Sequence, residues 1–268
     1  MDKNAQNAPI GVLDSGVGGL SVLKCLQKKL PQESYIYIGD TARTPYGSRS
    51  EAEIRCFVEE MLAYLEGRGV KLVVVACNTL TMLGIESLQK DHAFALVGMS
   101  KGAKLLLQAS KKKKIGVLAT QFTISTEAHK KAILAEDAEA EVFGVACPKF
   151  VPLIEGERFD SPELAQAVAE CAEQLKKNDV DALLLGCTHY PFVKELVEKA
   201  MDNKAVVIDP AEETALLTEA ALRKLDLLNA GSSGSVEICC TADVERVQRL
   251  TAKMLPQTLC SFKEIVLK

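Results

Sequence analysis

Two short segments place a thiol directly after an apolar run and follow it with polar side chains. They are Cys77–Thr79 and Cys187–His189. A thiol has an ordinary pKa of about 8.5, and the start of a helix or a nearby cation lowers it. Such a group is suited to general acid–base chemistry near neutral pH. The two segments therefore predict a pair of proton-transferring thiols.

The other cysteines predict packing rather than chemistry, because they lie within apolar or amphipathic patterns or, for Cys147, directly before a proline. The predicted core thiols are Cys25, Cys56, Cys171, Cys239, Cys240 and Cys260, and Cys147 is interpreted as structural. The chain has no C-x-x-C motif, and Cys187 and His189 are too close together for the usual zinc spacing. We therefore predict no metal site.

A third chemical segment begins at Asp14 and Ser15, which also follow an apolar run. Gly16–Gly19 is rich in glycine but departs from the G-x-G-x-x-G fingerprint, since Ser21 occupies the last glycine position. No acidic residue convincingly ends the second strand as a ribose ligand, although Asp40, about 26 residues on, could serve. The segment predicts a tight turn whose backbone approaches a carboxylate, and not a dinucleotide site.

Short apolar runs that alternate with amphipathic stretches must position these residues. Continuously apolar runs are typical of strands that are buried on both faces of a parallel sheet. The predicted strands are 10–13, 35–38, 72–76, 95–99, 115–119, 141–145, 182–185 and 206–208. Ser50 with Glu53 predicts a capping box, and Ser161 with Pro162 predicts a second helix start. The fold class is α/β, doubly wound.

An approximate internal repeat indicates two similar lobes. Residues 10–15 are echoed by 115–120, and residues 73–79 are echoed by 183–189, with Cys77 and Cys187 in register. Two echoes at nearly one offset favour two α/β domains, 1–98 plus 211–268 and 99–210. After the polar loop 229–235, the tail predicts a strand (236–240), a helix (242–254) and a last strand (259–266) that pack onto the first domain.

Composition excludes several classes of protein. The net charge is −4, and the one dense charged block, Lys111–Lys114, is interpreted as a solvated loop, so we expect no nucleic-acid partner. No apolar stretch approaches the roughly 18 residues that span a bilayer. The polar N-terminal segment, Met1–Pro9, lacks a signal sequence. We expect a cytoplasmic protein with reduced cysteines and no membrane partner.

Five segments together resemble the signature segments of bacterial glutamate racemase, in family order and over nearly the whole chain. They are Leu13–Leu20, Ala42–Gly47, Cys77–Thr79, Phe150–Glu155 and Gly186–Pro191. The resemblance implies two pseudo-symmetric α/β domains with the active site between them. It also implies no cofactor, a homodimer, and a role in making D-glutamate for peptidoglycan. The chain departs from the family at Leu80–Leu83 and at His129, where a family tyrosine is expected.

The resemblance also implies the roles of individual residues. Cys77 and Cys187 would transfer the protons, and Asp14 and His189 would assist them. The residues that would bind glutamate are Asp14, Ser15, Pro45, Tyr46, Gly47, Asn78, Thr79, Thr123, Glu155, Thr188 and His189. Residues 44–47 are predicted to form a turn.

Racemisation removes the α-hydrogen from one face of the substrate and returns a proton to the other. Two thiols, one ionised and one protonated, would exchange states in each turnover. Rival interpretations are a racemase of aspartate or another acidic amino acid, a two-lobed protein that binds a small anion without turnover, and a decarboxylase of the same superfamily. His189 argues against aspartate because relatives that act on aspartate tend to carry an acid there. The second thiol argues against the other two.

Overall fold

The computed structural model describes residues 3–231 and 233–268, with the side chains from Asn4 onward. Met1 and Asp2 of the polar N-terminal segment, and Ser232 of the predicted loop, lie outside the described residues. None of the helices in the described part of the chain combines the length and the apolar character that crossing a bilayer requires.

Strands and helices alternate along the chain. The strands are β1 (Ile10–Asp14), β2 (Tyr35–Gly39), β3 (Leu72–Val75), β4 (Ala95–Gly98), β5 (Lys114–Ala119), β6 (Glu141–Ala146), β7 (Ala182–Gly186), β8 (Val206–Ile208), β9 (Val236–Cys240) and β10 (Cys260–Glu264). The helices are α1 (Lys3–Asn7), α2 (Leu20–Lys29), α3 (Glu51–Gly67), α4 (Asn78–Thr81), α5 (Ile85–Gln89), α6 (Ala103–Ala109), α7 (Gln121–Ser125), α8 (Ala128–Glu136), α9 (Phe150–Glu155), α10 (Pro162–Lys176), α11 (Lys194–Ala200), α12 (Ala211–Lys224) and α13 (Val244–Met254), with a 3-10 helix at Tyr190–Val193. Every predicted strand is present, with ends that shift by one or two residues.

The chain divides into two compact units. One consists of the chain up to Met99 together with Ala211–Lys268, and the other is Ser100–Pro210. Met99 lies with the first unit because its backbone N–H donates to Thr81 Oγ1 at 3.1 Å and its Sδ accepts a weak bond from Thr214.

The first unit contains a parallel sheet in the order β10-β9-β2-β1-β3-β4. Every residue of β1, β2 and β3 is buried, as expected for strands covered by helices on both faces. Ile10 of β1 pairs with Tyr35 of β2 on one side and with Leu72 of β3 on the other. The C-terminal strands β9 and β10 extend the edge beside β2, which confirms that the tail packs onto this unit.

The second unit contains a parallel sheet in the order β6-β5-β7-β8. Ile115 of β5 pairs with Val142 of β6 and Ala182 of β7. One apolar cluster, which includes Phe150, Leu175 and Tyr190, covers one face of this sheet. A smaller cluster around Leu106 and Ile133 covers the other. Both faces are therefore buried, as the apolar runs indicate.

The internal repeat predicted from the sequence is confirmed in the topology. The order β2-β1-β3-β4 in the first sheet corresponds to β6-β5-β7-β8 in the second. The two sequence echoes correspond to the strand pairs β1 with β5 and β3 with β7. In both units the second echo covers most of a strand and continues through the candidate thiol that follows it.

Local signals set the helix ends. Ser50 accepts from the Glu53 N–H while Glu53 accepts from the Ser50 N–H, so the predicted capping box is confirmed. Ser161 caps α10, and Pro162 follows at its first position. The last helix begins at Val244 rather than 242, because Asp243 provides the cap by accepting from the Arg246 N–H.

All nine cysteines lie in the described part of the chain and are free thiols. The prediction that Cys56 lies in the core is wrong, since it is exposed on α3. Its neighbours Ile54 and Val58 are buried, and Cys56 projects roughly 200° around the helix from each of them. Cys25 and Cys260 are only half-buried, whereas Cys171, Cys239 and Cys240 are buried as predicted.

Candidate functional site

In the first unit the candidate thiol lies just beyond the C-terminal end of strand β3. Cys77 is 5% exposed and has an extended backbone, and it caps the short helix α4. Its carbonyl accepts the N–H of Thr81, which is the first turn of that helix. Its Sγ lies 3.7 Å from Ser15 Oγ, to which the thiol donates. The ends of neighbouring strands β1 and β3 thus bring Ser15 and Cys77 together.

Asp14 ends β1 and is fully buried. Its Oδ1 accepts the backbone N–H of Gly16 at 2.8 Å, which holds the tight turn after the strand. The turn is compact because Gly39 on the next strand has no side chain. A Cβ at Gly39 would lie 2.2 Å from the Gly16 carbonyl oxygen. Tyr37 then donates to that same oxygen at 2.7 Å.

Asn78 is the most conspicuous polar residue beside Cys77. It is 2% exposed, and neither the oxygen nor the nitrogen of its amide has a hydrogen-bond partner among the described residues. A buried amide normally satisfies both groups, because leaving them unpaired is unfavourable by about 1–3 kcal/mol. The amide therefore has a donor and an acceptor available for a small molecule.

The prediction of one turn over residues 44–47 is wrong, because the hydrogen-bonded turns lie on either side of Thr44 and Pro45. The Arg43 N–H bonds to the Asp40 carbonyl and the Arg49 N–H to the Tyr46 carbonyl, so the turns flank Thr44 and Pro45. The bond before the proline is cis. Gly47 lies in the second turn.

Tyr46 is held through Asp40, which the sequence analysis did not assign to this site. The buried phenol of Tyr46 donates to Asp40 Oδ2, and Arg43 Nε donates to the same oxygen at 2.5 Å. Thr241 donates to Oδ1 at 2.8 Å. Burial and the neighbouring Asp40 raise the pKa of Tyr46, so it stays a neutral donor. The available signal was that Asp40 directly follows β2, beside the strand β1 that ends at Asp14.

Arg43 completes this cluster. Burial alone would lower the pKa of its guanidinium, but hydrogen bonds to Glu60 and Asp40 outweigh it and raise the pKa. Its guanidinium carbon also lies 4.0 Å from the centre of the Phe57 ring, and that ring packs on Tyr46 with 5.3 Å between ring centres. Tyr46 is therefore fixed by both a polar and an aromatic partner.

In the second unit the candidate thiol begins a line of three side chains. Cys187 directly follows β7 and is 6% exposed, and its Sγ lies 3.9 Å from His189 Nδ1. His189 Nε2 lies 2.7 Å from Glu155 Oε1, to which it donates. Both are nearly fully buried. Glu155 reaches this position from the last residue of α9.

The electrostatics of this line favour the imidazolium form. Burial alone would lower the pKa of His189, but hydrogen bonds to Cys187 and Glu155 outweigh it and hold the pKa well above its ordinary value. A protonated ring can donate at both nitrogens. His189 therefore donates toward Cys187 while the Glu155 carboxylate balances its charge.

Hydroxyls surround the ends of the central strands of the second sheet. Thr188 is buried beside Cys187. Thr120 follows β5 and caps α7, accepting from the Thr123 N–H, and its hydroxyl donates to Thr123 Oγ1 at 3.1 Å. The predicted site residues did not include Thr120, the partner of Thr123, or Asp40, the partner of Tyr46. The signal for Thr120 was the repeat, in which it occupies the position of Ser15.

The helices that follow the two thiols are short. Helix α4 has a single turn, and Thr188 and His189 intervene between Cys187 and one turn of 3-10 helix. The stabilisation that a helix start offers a thiolate is correspondingly small, since aligned peptide dipoles are few. Within the described residues no cluster of three or more His, Cys, Asp or Glu side chains is arranged to hold a metal ion.

The chain matches the Asp/Glu/hydantoin racemase family model over residues 10–218. The chain belongs to this family. It is 42% identical over 230 residues to the glutamate racemase of Lactiplantibacillus plantarum, covering 85% of this chain and 84% of that one. The predicted enzyme class, a racemase, is thereby confirmed.

Solved racemase structures share the whole fold. The glutamate racemase isoform RacE1 from Bacillus anthracis has a TM-score of 0.91 at 34% identity, covering 98% of each chain. The glutamate racemase from Francisella tularensis, solved with D-glutamate, has a TM-score of 0.88 at 30% identity, covering 98% of this chain and 99% of that one. These likenesses confirm the predicted two-domain α/β fold of this racemase.

Proposed function

We propose that this racemase interconverts L- and D-glutamate by a two-base 1,1-proton transfer, without a cofactor, and supplies D-glutamate for peptidoglycan. The observation that carries the proposal is the equivalence of the two thiols. Cys77 follows β3 and Cys187 follows β7, the corresponding strands of two sheets with the same strand order. The relatives named as glutamate racemases support glutamate as the substrate.

The chemistry needs one thiolate and one thiol. The thiolate takes the α-proton from one face of glutamate and becomes a thiol. The other thiol gives its proton to the opposite face of the carbanion and becomes a thiolate. The enzyme is then ready for the reverse reaction, so no external acid, base or oxidant is consumed.

In the second unit, His189 and Glu155 support proton transfer at Cys187. With His189 protonated, the ring stabilises a Cys187 thiolate across the 3.9 Å separation. Glu155, at 2.7 Å from the far ring nitrogen, fixes the ring orientation. We assign His189 as the assisting residue of Cys187 and Glu155 as the positioning residue of His189, rather than a ligand of the substrate.

The first unit is built differently. Cys77 donates to Ser15 Oγ, and the buried carboxylate of Asp14 directly precedes Ser15 in the chain. We assign Asp14 as the group that assists proton transfer at Cys77. One thiol works beside a carboxylate and the other beside an imidazolium, so the two directions of racemisation need not share one pH profile.

Substrate binding falls to the polar groups around the thiols. The free amide of Asn78 offers an N–H for a carboxylate oxygen and a carbonyl oxygen for the α-ammonium group. Ser15, Thr79, Thr123 and Thr188 add hydroxyls or backbone N–H groups, which stabilise the negative charge of the carbanion. Pro45, Tyr46 and Gly47 complete the proposed binding residues. The hydrogen bond from Tyr46 to Asp40 fixes the position of this segment.

The decisive experiment incubates the purified protein with L-glutamate or D-glutamate in D₂O and follows optical rotation and α-deuteration together. Loss of rotation with α-deuterium in the product is expected. Cys77→Ser and Cys187→Ser should each lose racemisation by at least about 10³-fold, since a hydroxyl is a far weaker acid than a thiol. Cys56→Ser, at an exposed position, is the matched control and should retain full activity.

Full racemisation by either active-site variant would overturn the two-thiol mechanism. Racemisation of L-aspartate in place of glutamate would support the alternative substrate. Binding of glutamate with no exchange of its α-hydrogen would support a binding protein instead.

Three further assignments belong to this proposal. The two compact units are proposed to be the two domains anticipated from the sequence, with Met99 at the end of the first segment. A homodimer is proposed from the resemblance, and light scattering on the purified protein tests it. A cytoplasmic location is proposed because all nine cysteines are free, which suits a reducing compartment.

A further inference from the structure

A cavity of about 180 Å³ lies within the second unit, between helices α7 and α8 and the strands β5 and β6. It shares Thr123 with the predicted substrate residues, but Cys187, Thr188 and His189 do not line it. Neither the sequence motifs nor the proposed mechanism assigns this cavity a function.

The inner wall of the cavity contains a buried histidine with one unused nitrogen. His129 is 3% exposed, and its Nδ1 lies 3.3 Å from the carbonyl oxygen of Lys101. Since a carbonyl only accepts, Nδ1 carries the proton. Burial lowers the pKa of His129 to about 4, so the ring is neutral and Nε2 is an acceptor. This atom is buried and has no partner among the described residues.

The remaining walls are apolar, and the rim carries no net charge. Val117, Ile124 and Val142 line the cavity. Glu127 and Lys130 stand at its rim, 3.4 Å apart and both about half exposed, so their charges balance. These surroundings favour a neutral occupant over an ion.

Gly144 keeps the cavity open on the side of the edge strand β6. A Cβ at this position would lie 3.2 Å from Ile124 Cδ1, which is tighter than ordinary contact. A larger side chain there would fill the space between strand and helix. Because Gly144 is itself exposed, such a change leaves the core of the unit intact.

We infer that this cavity binds a small neutral molecule with an apolar body about the size of a benzene ring and one O–H or N–H group, which donates to His129 Nε2. The volume fits, since an apolar cavity of roughly 150 Å³ holds benzene. The donor requirement follows from the unused acceptor. The inference does not depend on racemase activity, because its test measures binding alone.

The test uses ¹⁹F NMR titration of the purified protein with 4-fluorophenol and, as a matched ligand without a donor, fluorobenzene. Saturable binding of 4-fluorophenol is expected, about five- to tenfold tighter than fluorobenzene, which corresponds to one buried hydrogen bond. In His129→Leu this preference should disappear. His92→Leu, which removes a histidine of the first unit, should keep it.

Gly144→Val provides a second variant that leaves His129 in place. It should lose binding of both ligands by at least about tenfold while its thermal unfolding stays close to that of the parent protein. Absence of saturable 4-fluorophenol binding to the parent protein overturns the inference. So does an unchanged preference in His129→Leu, or unchanged binding in Gly144→Val.

Discussion

Glu155 Oε1 and His189 Nε2 lie 2.7 Å apart, although 34 positions separate the two residues in the chain. The carboxylate ends α9, and the imidazole stands between β7 and the 3-10 helix. Together with the hydrogen bond to Cys187, this pairing outweighs burial and holds the pKa of His189 well above its ordinary value.

Replacement of Glu155 by glutamine is expected to lower the pKa of His189, because the charge-assisted bond that opposes burial is lost. The imidazolium then deprotonates at a lower pH than in the parent enzyme. The alkaline limb of the pH profile of kcat should move toward lower pH, with kcat reduced by about tenfold at neutral pH.

The measurement is kcat against pH in both directions of racemisation, with ¹⁵N NMR of the histidine ring as an independent readout. Glu173→Gln, an exposed glutamate of the same unit, controls for the change of net charge. A pH profile identical to that of the parent enzyme would contradict the positioning role.

Asn78→Ala is expected to separate stability from binding. Its amide lacks partners among the described residues, so its removal should leave the free energy of unfolding within about 1 kcal/mol of the parent value. The same change should raise KM for glutamate by about tenfold or more, since the substrate loses a donor and an acceptor.

Thr81→Val is the contrasting control, because Thr81 Oγ1 accepts the Met99 N–H and donates to the Cys77 carbonyl. This variant should lose about 1–3 kcal/mol of stability. Urea unfolding and initial-rate kinetics check both variants. Strong destabilisation by Asn78→Ala with an unchanged KM is the result that refutes this reasoning.

Lys71 and Glu33 form a buried ion pair at the N-terminal ends of strands β3 and β2, whereas Cys77 lies beyond the C-terminal end of β3. Their charged atoms lie 2.5 Å apart, with side-chain exposures of 2% and 1%. Lys71 also donates to the carbonyls of Gln6 and Leu227. Lys71→Met should therefore destabilise the protein by about 3–5 kcal/mol, because it leaves a carboxylate buried without its cation.

The double variant Lys71→Met with Glu33→Leu tests the origin of that loss. It should recover part of the stability in urea unfolding, since no uncompensated charge stays buried. A double variant as unstable as the sum of the two single changes would show that the ion pair itself contributes little.

His129 predicts a loss of stability in acid. Burial lowers its pKa from 6.5 to about 4 in the folded state, so the unfolded chain binds a proton more readily. The free energy of unfolding that the neutral ring of His129 contributes is fully present above pH 6.5 and is lost as the pH falls toward 4. Between pH 7 and pH 5 this one group should remove about 2 kcal/mol of the free energy of unfolding.

Urea unfolding at the two pH values checks this prediction, with His129→Leu as the variant that lacks the titrating group. The parent protein should lose about 2 kcal/mol more than the variant between pH 7 and pH 5. Equal losses would mean that His129 titrates normally in the folded protein.

Much of this architecture follows from the sequence by itself. The continuously apolar runs determined the parallel strands, and the repeat between residues 10–15 and 115–120 determined that two sheets share one topology. Contacts within a few residues, such as the Ser50 capping box and the proximity of Cys187 to His189, were also accessible, because backbone geometry fixes them.

The partners of those residues were decided only by the tertiary structure. Asp40 reaches Thr241, and Glu155 reaches His189, because elements distant in sequence meet at one edge of each sheet. Cys56 was misjudged although its spacing from Ile54 and Val58 already places it off the buried face of the helix. Short-range spacing determines which groups can do chemistry. Packing between residues that are far apart in the chain determines which partners set the charge and orientation of those groups, and which groups have no partner.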